Sequence, residues 1–205
     1  MKLGILKEEK SPPDQRVVLT PKQCKWIIEN TNFDLFVKSS DIRCFKDDEY
    51  SDLGINIVDD LSHCDILLGI KEVPKEDLIA NKIYFYFSHT IKKQIYNRSL
   101  LKRMIDLNIQ MVDYETLKDH NNKRLIGFGR YAGIVGAYNA LLTYGLKSNR
   151  YALKDANICE DKNEIEDELK KIDLSNEKII LTGNGRVANG SLEILRQAKI
   201  REVSK

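Results

Sequence analysis

The sequence predicts an α/β fold, a mostly parallel sheet with helices on both faces. Three observations predict it. Short branched apolar runs such as "FDLFVKSS", "INIVDD" and "CDILLGIK" alternate with stretches of helical spacing, the pattern of strands joined by crossover helices. "KIYFYFSH" is apolar or aromatic almost throughout, as a strand covered on both faces must be. Near the end, "KIILTGNGRVANGSLEILRQAK" reads as a strand, a glycine turn and a helix, the opening unit of a second domain.

Each element has its own signal. "KLGILKE" is a short β-rich run that stops at "KSPPD", where two prolines forbid regular structure. "TPKQCKWIIEN" follows as a helix, with Thr20 at the N-cap, Pro21 at N1, and Cys24, Trp26 and Ile27 as its buried face. Beyond the four strand-like runs, the spacing of Ile95, Leu100, Met104 and Leu107 predicts a helix over "IKKQIYNRSLLKRMIDLN". "IQMVDYETL" is again strand-like. "YAGIVGAYNALLTYGLK" is a helix whose Gly133, Gly136 and Ala137 leave little bulk on one side, so it is expected to lie close against a neighbour. Residues 150–177 are charged and poor in apolar side chains, although "NEIEDELKKI" could form an exposed helix. The expected organisation is a domain over 1–145, a charged linker or surface segment over 146–177, and a Rossmann-type domain that starts at 178 and is truncated at 205.

Composition narrows the classes. With 205 residues, 42% hydrophobic and 31% charged, the chain can bury a sizeable core. Its 33 basic and 31 acidic residues leave a charge of +2, no basic field for nucleic acid. No apolar run reaches the ~18 residues of a membrane span, and the charged start "MKLGILKEEK" argues against a signal peptide. Cys24, Cys44, Cys64 and Cys159 are scattered, so reduced thiols in a cytoplasmic protein are expected, with neither a disulfide framework nor a metal site.

The closing motif, Gly183-x-Gly185-x-x-Ala188, stands between an apolar run and a helix. There the first glycine permits a tight turn, the second lets backbone amides approach a pyrophosphate, and the small third residue lets helix and strand pack closely. Four further stretches, "DQRVVLTP", "GIKEVP", "FSHT" and "NKRLIGFGRYAG", place charged or titratable residues at or just beyond strand ends. Ligands of open parallel sheets bind outside the carboxyl ends of strands. Lys71 and His89 are thus two proton-handling groups that can face one crevice. Singly, each also has an ordinary reading: a solvated lysine, a capping histidine, surface cations at Arg16 and Arg124, and a Glu115 that caps or pairs with a nearby base.

In order, "GILKE…QRVVLTP…GIKEVP…FSHT…GFGRYAG…GNGRVANG" resembles the alanine dehydrogenase and transhydrogenase superfamily, and within it NAD-dependent, lysine-forming saccharopine dehydrogenase. The resemblance spans nearly the whole chain and is strongest at 1–21, 67–74, 84–94 and 123–147. It implies Lys71 as general base and His89 as a second acid–base group. It implies Arg16, Gln94, Arg124 and Phe128 at the substrate, and Lys123, Gly183, Gly185, Arg186 and Ala188 at the cofactor. Lys123 stands where the family has arginine, and a lysine lacks the bidentate fork.

The implied function is the front part of an amino-acid oxidoreductase that converts a secondary-amine amino acid to lysine and 2-oxoglutarate with NAD, NADP remaining open. Arginines suit a substrate with several carboxylates. A lysine, ordinarily near pKa ~10.4, must be tuned to act as a base at neutral pH, whereas histidine already titrates there. The partners implied are a small amino acid or 2-oxo acid, no nucleic acid and no membrane, with a homo-oligomer allowed. The 205-residue chain by itself is expected to be inactive. Alternatives are an alanine dehydrogenase, an enzyme like N5-(carboxyethyl)ornithine synthase, and a shortened non-enzymatic paralogue that binds an amino acid.

Overall fold

The structure, a computed structural model, describes residues 1–12, 14–174 and 177–203. Pro13, Ser175, Asn176, Ser204 and Lys205 lie outside the described residues, including the last two positions of the expected second domain. The chain divides into two compact units, Met1–Gly127 and Phe128–Lys205.

The first unit is built on six parallel strands: β1 (Lys2–Ile5), β2 (Asp34–Lys38), β3 (Asn56–Val58), β4 (Ile66–Lys71), β5 (Ile83–Phe87) and β6 (Gln110–Asp113). Their order is β3-β2-β1-β4-β5-β6, so the strand order reverses between β1 and β4, where open sheets of this kind form their ligand crevice. Alternation sorts the core onto two faces. Leu3 and Ile5 join Cys24, Leu35, Val37 and Tyr50, while Leu67, Tyr84 and Tyr86 join Leu100 and Met104. "KIYFYFS" is therefore an interior strand, β5, hydrogen-bonded on both sides.

Helix α1 (Pro21–Asn30) starts as its sequence requires. The Thr20 hydroxyl accepts from the Gln23 N–H, and the Gln23 side chain accepts from the Thr20 N–H, which satisfies two of the helix's unpaired ends. Its buried side runs through Pro21 and Cys24. Trp26 is 61% exposed, a correction to the expected face: it is two residues from Cys24, about 200° around the helix. A short helix α2 (Asp47–Ser51) carries the buried Tyr50. Helix α3 (Arg98–Asp106) begins later than the apolar spacing predicts. Short 3₁₀ turns occupy Thr90–Lys92 and Ile95–Asn97, so Ile95 is 90% exposed.

The second unit holds α4 (Gly129–Ser148), α5 (Lys162–Glu168) and α6 (Arg186–Gln197). α4 and α6 cross at backbone contact. A Cβ on Gly133 would meet the Val187 carbonyl oxygen at 1.9 Å, and one on Gly190 would meet that of Arg130 at 2.0 Å. That crossing moves the boundary to 127/128 instead of 145/146, because α4 belongs with α6. The expected linker is also packed: Leu153, Ile165 and Leu169 are buried with Ile134, Tyr138, Leu141 and Ile194. Residues 178–182 form no strand, and Ile180 is 88% exposed. A strand exists only through its neighbours' hydrogen bonds, and no strand pairs with this run among the described residues.

Candidate active site at the carboxyl ends of the sheet

The candidate site residues of the first unit stand at or beyond the ends of β1, β4, β5 and β6. Lys71 is the last residue of β4, half-buried and opposite Phe87 of β5. On the loop after β1, Arg16 donates from Nε to Asp14 Oδ1 at 2.9 Å and from Nη2 to Oδ2 at 2.5 Å. This side-chain bond holds the Asp14 carboxyl below its usual range, and the Lys71 charge adds to that effect. Lys71 is thus within electrostatic reach of the Asp14–Arg16 pair. Beside it, Glu72 pairs with Lys10. Burial acts to raise the Glu72 carboxyl, but the bond to Lys10 and the charges of Lys10 and His89 leave it lowered. Glu72 Oε2 is buried with no hydrogen-bond partner among the described residues.

His89 follows β5 with φ 57°, in the left-handed region. That conformation is uncommon for residues other than glycine, though histidine is among those enriched there. Its Nδ1 lies 3.0 Å from Glu115 Oε2 and 3.1 Å from Lys92 Nζ. An ionised carboxylate only accepts, so with the proton on Nδ1 the ring donates to Glu115 and Nε2 is left for proton exchange. Lys92 then serves Glu115 Oε1, at 3.3 Å. Arg124 Nη1 approaches the same oxygen at 3.8 Å. A small turn delivers Arg124: Asp119 N–H donates to the Lys123 carbonyl and Leu125 N–H to that of Leu117. Burial acts to raise Glu115, but its bonds to His89 and Lys92 leave it below the ordinary value.

A buried pair locks these two strand ends together. Ser88 Oγ donates to Asp113 Oδ2 at 2.5 Å and meets Thr90 Oγ1 at 2.8 Å. Asp113 Oδ1 accepts the Glu115 N–H at 2.8 Å. Ser88 precedes His89, and Asp113 lies two residues before Glu115, so one bond registers His89 and its partner Glu115.

Not every candidate joins these groups. Gln94 is exposed, and its Oε1 accepts from the Tyr96 hydroxyl at 2.6 Å. Lys123 is exposed on the turn, its N–H bonded to Asp119. In the second unit, Phe128 is the N-cap of α4, 41% exposed. There Gly183 has φ +90°, and Gly185 is the N-cap of α6 without a side-chain cap. Nothing lies within 4 Å of a Cβ built on either glycine, so a turn that only glycine relaxes opens over a helix N-terminus, and the residues fit a dinucleotide's pyrophosphate. Arg186 opens α6, and Ala188 is half-buried one turn in. Two residues on, Gly190 packs against the Arg130 backbone of α4.

Sequence reasoning missed Glu8, Lys10, Asp14, Glu72 and Lys92. For Glu8 and Glu72 the available signal was a lysine–glutamate pair at or just beyond the end of a strand, at Lys7-Glu8 and Lys71-Glu72.

Fold and candidate site define a class: an open parallel α/β domain with cationic and titratable groups at the carboxyl ends of its strands. Residues 4–135 match the family described as alanine dehydrogenase/PNT, N-terminal domain, and the chain belongs to that family. It is similar to alpha-aminoadipic semialdehyde synthase, mitochondrial, of Rattus norvegicus, 34% identical over 145 residues, 71% of this chain and 16% of the relative. It is also similar to saccharopine dehydrogenase [NAD(+), L-lysine-forming] of Yarrowia lipolytica, 27% identical over 213 residues, 96% of this chain and 58% of the relative. Among solved structures, an L-alanine dehydrogenase shares the fold at TM-score 0.60 and 17% identity, covering 74% of this chain and 43% of that one. A transhydrogenase from Sinorhizobium meliloti does so at 0.58 and 15%, covering 74% and 45%. The chain therefore spans less than two thirds of the length of each of these relatives. No helix among the described residues is long and apolar enough to cross a membrane.

Proposed function

We propose that residues 1–127 are the substrate-side part of an NAD(P)-dependent dehydrogenase that oxidises the CH–NH bond of saccharopine or a related secondary-amine amino acid. The observation that carries this reading is the row of strand ends presenting Lys71, the Asp14–Arg16 pair, and His89 oriented by Glu115. Arg16 and Arg124 orient substrate carboxylates through charge-assisted hydrogen bonds. Lys71 takes the proton from the secondary amine, which must be neutral before its carbon can lose hydride. His89, with Nδ1 directed at Glu115, presents Nε2 to move protons as water adds to the imine and the carbinolamine breaks down to lysine and 2-oxoglutarate. Gly183, Gly185 and Arg186 would hold the dinucleotide, whose nicotinamide supplies the hydride acceptor. The four free thiols suit a reducing compartment, and we assign the protein to the cytoplasm on that ground.

Steady-state assay of the full-length gene product against saccharopine, alanine and carboxyethyl amino acids, with NAD and NADP, tests the reading. Turnover of saccharopine is expected. Turnover of alanine alone would move the assignment to alanine dehydrogenase, and turnover of carboxyethyl substrates to an opine-type enzyme. Binding without turnover would favour a sensor. Arg124→Ala should weaken substrate binding by ~1.5–3 kcal/mol through a lost charge-assisted contact.

A further inference from the structure

Glu8 is a carboxylate where a soluble domain rarely places one. It follows β1 and is only 8% exposed. Its Oε1 accepts the Ile70 N–H at 2.6 Å and its Oε2 accepts the Lys71 N–H at 2.9 Å. The reason two consecutive amides need it lies in the register. Leu68 faces Phe85, but Lys71 faces Phe87, so β4 carries one residue more than β5 over this stretch. A bulge of this kind re-aims side chains and leaves backbone groups outside the ladder. On the other side, β1 accompanies β4 only as far as the Leu6 N–H bond to the Leu68 carbonyl. Where β1 has ended and the bulge interrupts the β4–β5 register, the Glu8 carboxylate takes the two N–H groups. Gly69 leaves room for it, since a Cβ there would lie 3.3 Å from Glu8 Oε1.

We propose that Glu8 is a positioning residue: by accepting the consecutive N–H groups of Ile70 and Lys71 it holds the β4 bulge and sets the direction from which the Lys71 amine enters the crevice. This rests on the reading of Lys71 as the base. Burial pushes the Glu8 carboxyl up, the two backbone bonds pull it back, and Asp14 raises and Arg16 lowers it further. A group that merely filled space would not need to be an acid here. Glutamine would present an N–H₂ to one of the two amides, a donor facing a donor.

The test uses the full-length protein with Glu8→Gln, Glu8→Asp and, as a control, Glu9→Gln at an exposed site paired with Lys38. Turnover, KM, the pH profile of kcat/KM and the melting curve are measured for each. After reductive methylation with ¹³C, the Lys71 dimethylamine resonance, assigned with Lys71→Arg, is recorded as a readout independent of activity. Glu8→Gln should lower kcat on the order of 10²-fold, the scale of a small misplacement of a reacting group. KM should change little, the pH limb reporting the base should move, and the Lys71 resonance should shift while those of the other lysines stay. Glu9→Gln should match wild type. If Glu8→Gln does not fold, Glu8→Asp decides by the same readouts. A lowered melting point with kcat, pH profile and Lys71 resonance unchanged would overturn the proposal and leave Glu8 a structural residue. If wild type turns over no substrate, the proposed function fails, and the Lys71 resonance alone decides for or against Glu8.

Discussion

The same sequence signal has two outcomes in this chain. "KIYFYFS" becomes an interior strand with neighbours on both sides. "KIILT" is as branched and apolar, yet it pairs with no strand among the described residues. It borders an apolar groove of about 520 Å³ lined by Ala140, Leu141, Tyr144, Ile179, Leu181 and Leu195. A helix satisfies its own backbone, so α4 and α6 form and lock through Gly133 and Gly190. A strand is a property of a pair. The first unit has all its pairs, and its strand ends are therefore fixed enough to aim charged groups; the second unit presents its glycine turn on a helix alone.

Hydrogen exchange gives the largest contrast. Amides of β1, β4 and β5 should be protected by orders of magnitude, and those of Ile179–Leu181 should exchange close to unprotected rates. Comparable protection at 178–182 would break the distinction. Next in size is Gly190→Val. Its side chain collides with the Arg130 carbonyl, at an expected cost of ~3 kcal/mol, the upper range for overpacking, read by denaturant unfolding of the second unit while the sheet's exchange protection is retained. Ser88→Ala in the first unit should cost less, ~1–3 kcal/mol, because it leaves the Asp113 carboxylate short of a donor in a buried site. Its mark is a joint loss of stability and of His89–Glu115 order, checked by unfolding and by the His89 NMR signal.

The smallest effect is in the acid limb. Glu115 sits below its ordinary value of 4.5, so its stabilisation is fully present above that value and is lost as pH falls through the lower folded-state value. Glu115→Gln should flatten the stability curve below about pH 4.5. Glu8, raised above 4.5, has the opposite slope: its contribution is present below that value and fades as pH rises through the folded-state value. Glu8→Gln should thus flatten the curve on the other side, and the two variants together separate the two carboxylates.

Much of this architecture was legible. Branched runs marked the six strands, the Thr20–Pro21 pair marked the start of α1, and the small residues of α4 announced its close crossing. Lys71, His89 and Arg16 were legible as positions at or beyond strand ends. Trp26 and Ile95 misled because hydrophobicity was read without helix phase or helix start. Glu8, Glu72 and Lys92 were hidden for a different reason. A charged residue next to a strand reads as solvated unless the register is known, and the bulge that buries Glu8 exists only in the β4–β5 pairing. The segment at 178–182 shows the converse, a local signal that no strand among the described residues completes.

The most direct test of the site is Lys71→Met in the full-length gene product, measured by steady-state oxidation of saccharopine. Removing the base should lower kcat by ~10²–10⁴-fold with KM nearly unchanged, since no carboxylate anchor is lost. A variant that turns over as wild type does, or that loses only affinity, would contradict the assignment of Lys71 as the proton acceptor.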